Sequence, residues 1–286
     1  MIITYSEKYY LDLAKGYEEN FGRKLLPQDL YDRRFSWMGE PTSYLYTDSK
    51  QVLGHIGYRL RMSESGVVAF RFSTFISKTL RGKGCYQELR SLSMQKLREL
   101  YDVQIVYTWP NRINLLSSLK DPEFRYERGI PTWECRGKLQ IIGEEIDIAD
   151  ITLTDEVLED INKNSLTIET SETFLSELQV RKDRVFKVIV SDGRVQAILS
   201  KKVIDGIEYI AYYFARSEYI LNASIDNSMN VINQLWISGD DRELMRSALK
   251  KNFEQRGPVF NLGTYDYRQN KSSLLGNAKM YHHDAF

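Results

Sequence analysis

Apolar and polar positions along the first half of this chain predict a mixture of helices and strands. Apolar residues spaced three and four apart predict a helix that begins after the N-cap residue Ser6 and ends near Gly22. A second, short helix is predicted over Pro27–Trp37, with the proline in its first turn. The alternating segments that follow predict three strands, over Tyr44–Tyr46, Val52–Leu60 and Val67–Ile76.

The second half carries the same kinds of pattern, with sharper turn signals. Asp192-Gly193 and Asp205-Gly206 predict tight turns that join three strands, over Val185–Val190, Val195–Val203 and Ile207–Phe214. The remaining segments predict a strand or linker over 138–151, helices over 154–162, 171–178, 224–238 and 241–255, and a last strand over Val259–Leu262.

The order of elements is similar in the two halves of the chain. Each half reads as two helices, a three-stranded meander, a helix and a strand, which indicates an internal duplication. We therefore predict an α+β fold with a mixed sheet layered between helices, and two domains, over residues 1–137 and 138–286. An alternative is that two unrelated α+β segments share this order by chance.

Composition narrows the classes of function. The 286 residues include 39 basic and 39 acidic side chains, without the basic excess of a nucleic-acid-binding protein. No segment approaches the ~20 apolar residues that cross a bilayer, and the N-terminus does not resemble a signal peptide. The two cysteines, Cys85 and Cys135, show no metal-binding spacing. We expect a cytoplasmic protein without a metal, membrane or nucleic-acid partner.

The segment after the third strand carries the clearest chemistry. Arg81-Gly82-Lys83-Gly84 forms a glycine-bearing loop between the strand ending at Ile76 and a helix predicted over Tyr86–Leu100. Glycines allow a ligand to approach the backbone closely, and the free N–H groups at a helix start favour an anion. The loop therefore has the chemistry of a diphosphate cradle, although an ordinary strand–turn–helix junction is the alternative.

This loop and its flanking strands resemble the GNAT acyltransferase superfamily, whose loop reads Arg/Gln-x-x-Gly-x-Gly/Ala. Arg81 and Gly84 fit that pattern, whereas Tyr86 stands where a small residue is usual. The resemblance implies that both halves are GNAT-like. The second half is then a degenerate copy, because Arg216–Tyr219 stands in place of the glycine loop, and this half shapes the acceptor pocket. It also implies that an acyl-CoA contacts Phe75, Ile76, Arg81, Gly82, Lys83, Gly84, Cys85, Tyr86 and Asn111, with the first two holding the thioester oxygen.

A weaker similarity covers Phe21-Gly22 through Pro41 and resembles tandem-domain sugar N-acyltransferases of bacterial surface-polysaccharide pathways. It implies acetyl or hydroxybutyryl transfer from coenzyme A to the amino group of a dTDP-linked deoxysugar, with no metal. Two alternatives stay open: an aminoacyl or peptidoglycan-type transferase, and a non-catalytic GNAT-like binding module. The oligomeric state, monomer or homodimer, also stays open.

The sequence assigns no catalytic residue. Tyr126 lies where such enzymes often place an acid, and His55 titrates in a useful range, although a lone histidine within a strand is more often structural. Trp37, Tyr265 and Tyr267 are candidates for stacking on a sugar or base, with core packing as the alternative.

Overall fold

The computed structural model divides into two compact units. Of the described residues, unit 1 comprises Met1–Tyr126 and residues 262–268, and unit 2 extends from Glu127 to Asn261. Residues 262–268 thus belong to unit 1, a division that no local pattern could indicate. The described residues are 1–48, 51–63, 66–110, 112–140, 143–150, 154–155, 158–159, 184–237 and 241–268.

Unit 1 is built on a mixed sheet with helices on both faces. Its strands are β1 (Ile2–Thr4), β2 (Ser36–Trp37), β3 (Glu40–Pro41), β4 (Ser43–Thr47), β5 (Val52–Ser63), β6 (Gly66–Ile76) and β7 (Ile105–Thr108). Its helices are α1 (Tyr10–Phe21), α2 (Gln28–Arg34), α3 (Cys85–Tyr101) and α4 (Arg112–Ser118), with single 3-10 turns at Glu7–Tyr9 and Lys78–Leu80.

The sheet of unit 1 has the order β1-β4-β5-β6-β7, and its pairs are antiparallel except for β6 and β7. On one face, α3 buries Leu89 and Leu97 against Tyr44, Tyr58 and Val106. On the other face, a second core joins α1 and α2 to the sheet through Leu13, Tyr17, Tyr31, Phe35 and Leu45. The predicted layered α+β fold is confirmed for this unit.

Unit 2 also contains mixed β-structure. The elements that follow α4 in the chain are β8 (Phe124–Arg136), β9 (Leu139–Gln140), β10 (Glu144–Asp147), β11 (Val185–Ser191), β12 (Arg194–Ile204), β13 (Ile207–Ala215), α5 (Ser217–Asn222), β14 (Ser224–Ile225), β15 (Val231–Trp236), α6 (Arg242–Lys250) and β16 (Glu254–Asp266), with a 3-10 turn at Ile148–Asp150. Strand β8 begins, and strand β16 ends, with residues assigned to unit 1. The strand order is β8-β15-β13-β12-β11-β10, in which only β13 and β15 are parallel.

The same succession of pairings occurs in both units. An antiparallel meander, β4–β6 or β11–β13, is followed by a helix and then by a strand parallel to the last meander strand. The next neighbour of that parallel strand comes from the other half of the chain in each case. Strand β16 pairs with β7 through Gly263–Asp266, and β8 pairs with β15 through Thr132–Arg136.

The structure differs from the sequence predictions at two places after residue 123. The helix predicted over 224–238 is wrong, because Val231–Trp236 forms strand β15 and the helix lies earlier, at Ser217–Asn222. Strand β8, Phe124–Arg136, is not among the predicted elements. Most residues of the helices predicted over 154–162 and 171–178 lie outside the described part of the chain. None of the helices in the described ranges is long and apolar enough to cross a membrane.

Candidate functional site

The glycine loop of unit 1 lies between the end of β6 and the first turn of α3. Gly82 and Gly84 have φ values of 76° and 79°, a left-handed conformation that glycine adopts without steric cost. Both are exposed, and a Cβ added to either would meet nothing within 4 Å. The amides of the first α3 turn, Cys85–Gln87, make no backbone hydrogen bond within the described residues. The first turn of α3 therefore has amide N–H groups without a backbone partner, next to two exposed glycines.

The two charged side chains of this loop differ in their contacts, because Arg81 is hydrogen-bonded to neighbouring elements and Lys83 is exposed. Arg81 donates from Nε to the carbonyl of Ile76 at 3.2 Å and from Nη2 to the side-chain oxygen of Asn20 at 3.0 Å. Arg81 thus ties the loop to the end of β6 and to α1. Lys83 is exposed, and Cys85 is buried at the start of α3. The predicted loop residues Arg81 to Tyr86 are brought together at one end of the sheet.

Strands β6 and β7 separate just before this loop. Their parallel pairing runs from Val68–Ile105 to Arg71–Thr108 and stops there. Beyond that point, β6 continues to Ile76 and, among the described residues, pairs with β5 alone. Within this part of the chain, the segment Phe72–Ile76 therefore has one edge without a strand partner, and this open edge leads directly to the glycine loop.

The register of β5 and β6 decides which amides face the open edge. Ser77 donates its N–H to the directly opposite residue Leu53 at 2.7 Å. Hydrogen-bonded and non-hydrogen-bonded pairs alternate along an antiparallel ladder, so the amide of Phe75 faces β5 and that of Ile76 faces away. Of the two residues that the sequence suggests for the thioester oxygen, Ile76 is the one whose N–H lies on the open edge.

A buried histidine holds the bend in β6. The β5–β6 register shifts between His55 and Gly57, and Ser73 opposite them has a positive φ of 52°. His55 Nδ1 donates to the Ser73 carbonyl at 2.5 Å, and the Tyr31 hydroxyl oxygen lies 2.8 Å from His55 Nε2. Burial lowers the pKa of His55 to about 4, although the bond to Ser73 opposes that shift. The imidazole is therefore neutral and has a structural role.

A cluster of arginine and tyrosine side chains lies between the sheet and α3. Tyr265 of β16 is fully buried, and the guanidinium groups of Arg71 and Arg90 lie 5.4 Å and 5.3 Å from its ring centre. Arg90 also donates to the Tyr265 hydroxyl at 3.0 Å and forms an ion pair with Asp121. Because Tyr265 is buried in this cluster, it is not exposed for stacking on a ligand. No signal in the sequence indicated the cluster.

The other residues that the sequence suggests for ligand contacts do not belong to the glycine loop or the open edge, and one of them lies outside the described residues. Asn111 lies outside the described residues. Tyr126 on β8 is 45% exposed, and Tyr267 lies beneath Arg98, whose guanidinium is 4.3 Å from its ring centre. In unit 2, the segment Arg216–Tyr219 has neither a glycine nor a residue with positive φ. This segment begins helix α5 without a glycine loop of the kind found in unit 1.

Comparison with known proteins identifies the fold. Neither a scan against protein-family models nor a search of curated protein sequences gives a match. Among solved structures, the chain is similar to a GCN5-related N-acetyltransferase from Anabaena variabilis, with a TM-score of 0.65, 11% identity, and coverage of 94% of this chain and 73% of that one. The corresponding protein from Kribbella flavida gives a TM-score of 0.57 and 9% identity, with coverage of 92% and 71%.

A GCN5-related N-acetyltransferase from Sphaerobacter thermophilus is similar over nearly its whole length. The TM-score is 0.52 at 11% identity, and the match covers 95% of this chain and 97% of that one. At such low identity these similarities establish architecture only. The chain has the fold of the GCN5-related N-acetyltransferases.

Proposed function

We propose that this protein is an acyl-CoA-dependent N-acyltransferase. The observation that carries the proposal is the open edge of β6, which runs from the point of separation at Arg71–Thr108 to the glycine loop. An open strand edge offers N–H and C=O groups to a linear ligand that carries amides. The loop beyond it offers N–H donors to an anion. Coenzyme A carries both groups in one linear molecule: its pantetheine arm, with two amides, matches the strand edge, and its diphosphate matches the loop.

The length of the edge supports this assignment. The diphosphate rests on the loop from Arg81 to Tyr86, and the pantetheine arm extends from it along β6 towards Phe72. The arm has about as many chain atoms as four residues of extended backbone, which span roughly 13 Å. Ile76 is then the edge amide nearest the diphosphate and pairs with an amide of the arm. The thioester lies nearer Phe72, where edge amides hold its oxygen as charge develops.

The reaction is direct transfer to an amine. The lone pair of a neutral amine attacks the thioester carbonyl, the new C–N bond forms, and the C–S bond breaks. The sulfur leaves as a thiolate and receives the proton that the nitrogen loses, directly or through water, which gives an amide and free coenzyme A. His55 is not the base, since it is buried, its two ring nitrogens are engaged, and its pKa is about 4.

The acceptor we propose is the amino group of a nucleotide-linked deoxysugar. Support for this comes from the resemblance of Phe21–Pro41 to sugar N-acyltransferases, and unit 2, which lacks the glycine loop, provides the surface that binds this acceptor. The proposal extends to a cytoplasmic enzyme that uses no metal. An aminoacyl-transferase or a non-catalytic binding module is an outcome that the following experiments distinguish.

Calorimetric titration with coenzyme A and acetyl-CoA, with and without a dTDP-linked amino sugar, tests the proposal. We expect coenzyme A to bind, and the sugar nucleotide to bind more tightly when the cofactor is present. Release of free thiol in the presence of both substrates measures turnover. Absence of coenzyme A binding would overturn the proposal, and binding without turnover on any amine would favour a non-catalytic module.

The substitution Gly84→Asp tests the position of the diphosphate. It places a carboxylate beside a group with two negative charges, and at about 4 Å in water each charge contributes about 1 kcal/mol of repulsion. We expect coenzyme A to bind about 30-fold more weakly. Gly206→Asp is the matched control, because Gly206 in the β12–β13 turn has a similar φ of 76° and equally open surroundings. Equal binding by the two variants would contradict the site.

A further inference from the structure

Arg71 is a buried cation with an unused hydrogen-bond donor. Its side chain is only 4% exposed, and its Nη1 atom has no hydrogen-bond partner among the described residues. Buried polar atoms are nearly always hydrogen-bonded, so such an atom calls for an explanation. The guanidinium contacts Tyr265 through the ring face and through a side-chain hydrogen bond, but neither contact gives Nη1 an acceptor.

Among the described residues, no acidic side chain compensates the charge of Arg71. Asp121, the carboxylate of the arginine–tyrosine cluster as described above, forms its ion pair with Arg90. No ion pair joins Arg71 to an acidic side chain in the described part of the chain, and the other neighbours are tyrosines. An arginine cannot lose its proton at physiological pH, and an uncompensated buried charge is strongly unfavourable. A ligand that brings an anionic oxygen would relieve this cost.

The position of Arg71 indicates which part of a ligand it meets. Arg71 is the last residue of β6 that pairs with β7, and the open edge begins at the next residue. In the function proposed above, on which this step rests, the diphosphate is at the far end of that edge. The acyl group is the opposite end of the cofactor, and it therefore lies where the two strands come together at Arg71 and Thr108.

We propose that Arg71 binds a carboxylate at the far end of the acyl group. The preferred donor is then the coenzyme A ester of a dicarboxylic acid, such as succinyl-CoA, rather than acetyl-CoA. The guanidinium matches a carboxylate in shape and charge, and Nη1 supplies the free donor. Arg71 selects the acyl donor in this assignment and takes no part in proton transfer.

Binding of four ligands to the native protein tests this selection. Coenzyme A, acetyl-CoA, 3-hydroxybutyryl-CoA and succinyl-CoA are titrated in parallel by calorimetry. We expect succinyl-CoA to bind about 10- to 100-fold more tightly than acetyl-CoA, the range of one charge-assisted hydrogen bond. Acetyl-CoA or hydroxybutyryl-CoA binding as tightly as succinyl-CoA would overturn the inference. If none of the four binds, the proposed function itself fails.

The substitution Arg71→Met assigns the selectivity to this side chain. Methionine fills similar space without a charge, so we expect acetyl-CoA binding to persist and the advantage of succinyl-CoA to disappear. Arg71→Lys keeps the charge without the planar fork, and we expect it to retain part of the advantage. A methionine variant that keeps the full preference for succinyl-CoA would contradict the role of Arg71. If that variant does not fold, the lysine variant and the ligand series on the native protein still decide the question.

Discussion

His55 makes the stability of this protein depend on pH in a way that can be calculated. The imidazole is fully buried between α2 and the sheet, with Nδ1 on the Ser73 carbonyl and Nε2 beside the Tyr31 hydroxyl. Protonation would place a charge in this core and replace the acceptor at Nε2 with a donor. Burial therefore lowers the pKa of His55 to about 4, against 6.5 in the unfolded chain.

The sign and size of the effect follow from proton linkage. Between pH 6.5 and 4, the unfolded chain binds a proton at His55 and the folded protein does not, so stability falls as the pH falls. With these two pKa values, the free energy of unfolding decreases by about 2 kcal/mol between pH 7 and pH 5. The full loss is about 3 kcal/mol and is complete once the pH is well below 4.

The substitution His55→Asn isolates this contribution. Asparagine offers an N–H donor near the position of Nδ1 but does not titrate, and Tyr31 keeps its contact with Ser43 Oγ at 2.8 Å. Urea unfolding is measured for both proteins at pH 7 and pH 5. Carboxylates titrate alike in the two proteins and cancel in the difference between them. We expect the native protein to be the more stable at pH 7, and this advantage to shrink by about 2 kcal/mol at pH 5.

An unchanged difference between the two proteins at pH 7 and pH 5 would refute the reasoning. It would mean that His55 titrates alike in the folded and unfolded states. A difference that grows at pH 5 would indicate a protonated imidazole paired with an acceptor. A second spectroscopic probe at each pH checks that unfolding is two-state, without which a single free energy is not defined.

Two further predictions concern packing beneath α3. Asp121→Asn leaves the Arg90 guanidinium without its ion-pair partner in a nearly buried position, so we expect a loss of about 3 kcal/mol in urea unfolding; a loss below about 1 kcal/mol would show that water screens the pair. Gly263→Ala would place a Cβ 2.1 Å from the Phe124 ring, so we expect a loss of about 1–3 kcal/mol from displacement of the ring. An unchanged melting temperature for the alanine variant would contradict this packing.

Local patterns were sufficient for the hairpins and for the glycine loop. Asp192-Gly193 and Asp205-Gly206 form the predicted tight turns between strands. Both aspartates have a φ of 52°, and the glycines that follow also have positive φ. The loop at Gly82 and Gly84 likewise uses conformations that glycine tolerates best. In each case the turn geometry is determined by two or three adjacent residues.

A strand that is buried on both faces cannot be told from a helix by its local apolar pattern. Val231, Ile232 and Leu235 are spaced as on a helix, but they lie in a strand parallel to β13 with little exposure on either face. Strand β8 has too few apolar positions to show a strand pattern, since Pro131 and several charged residues interrupt the alternation of apolar and polar side chains. Packing against neighbouring strands, which a single sequence does not show, decides both cases.

The candidate site depends on such distant partners as much as on the glycine loop. Arg71 falls on a strand whose alternation with Phe70 and Phe72 would place it at a solvent-exposed position. It is buried because Tyr265, a residue near the C-terminal end, belongs to a strand that pairs with β7 and covers it. A cation kept in the core by a residue almost 200 positions away is unfavourable for folding alone. A ligand carboxylate bound to Arg71 would offset that cost.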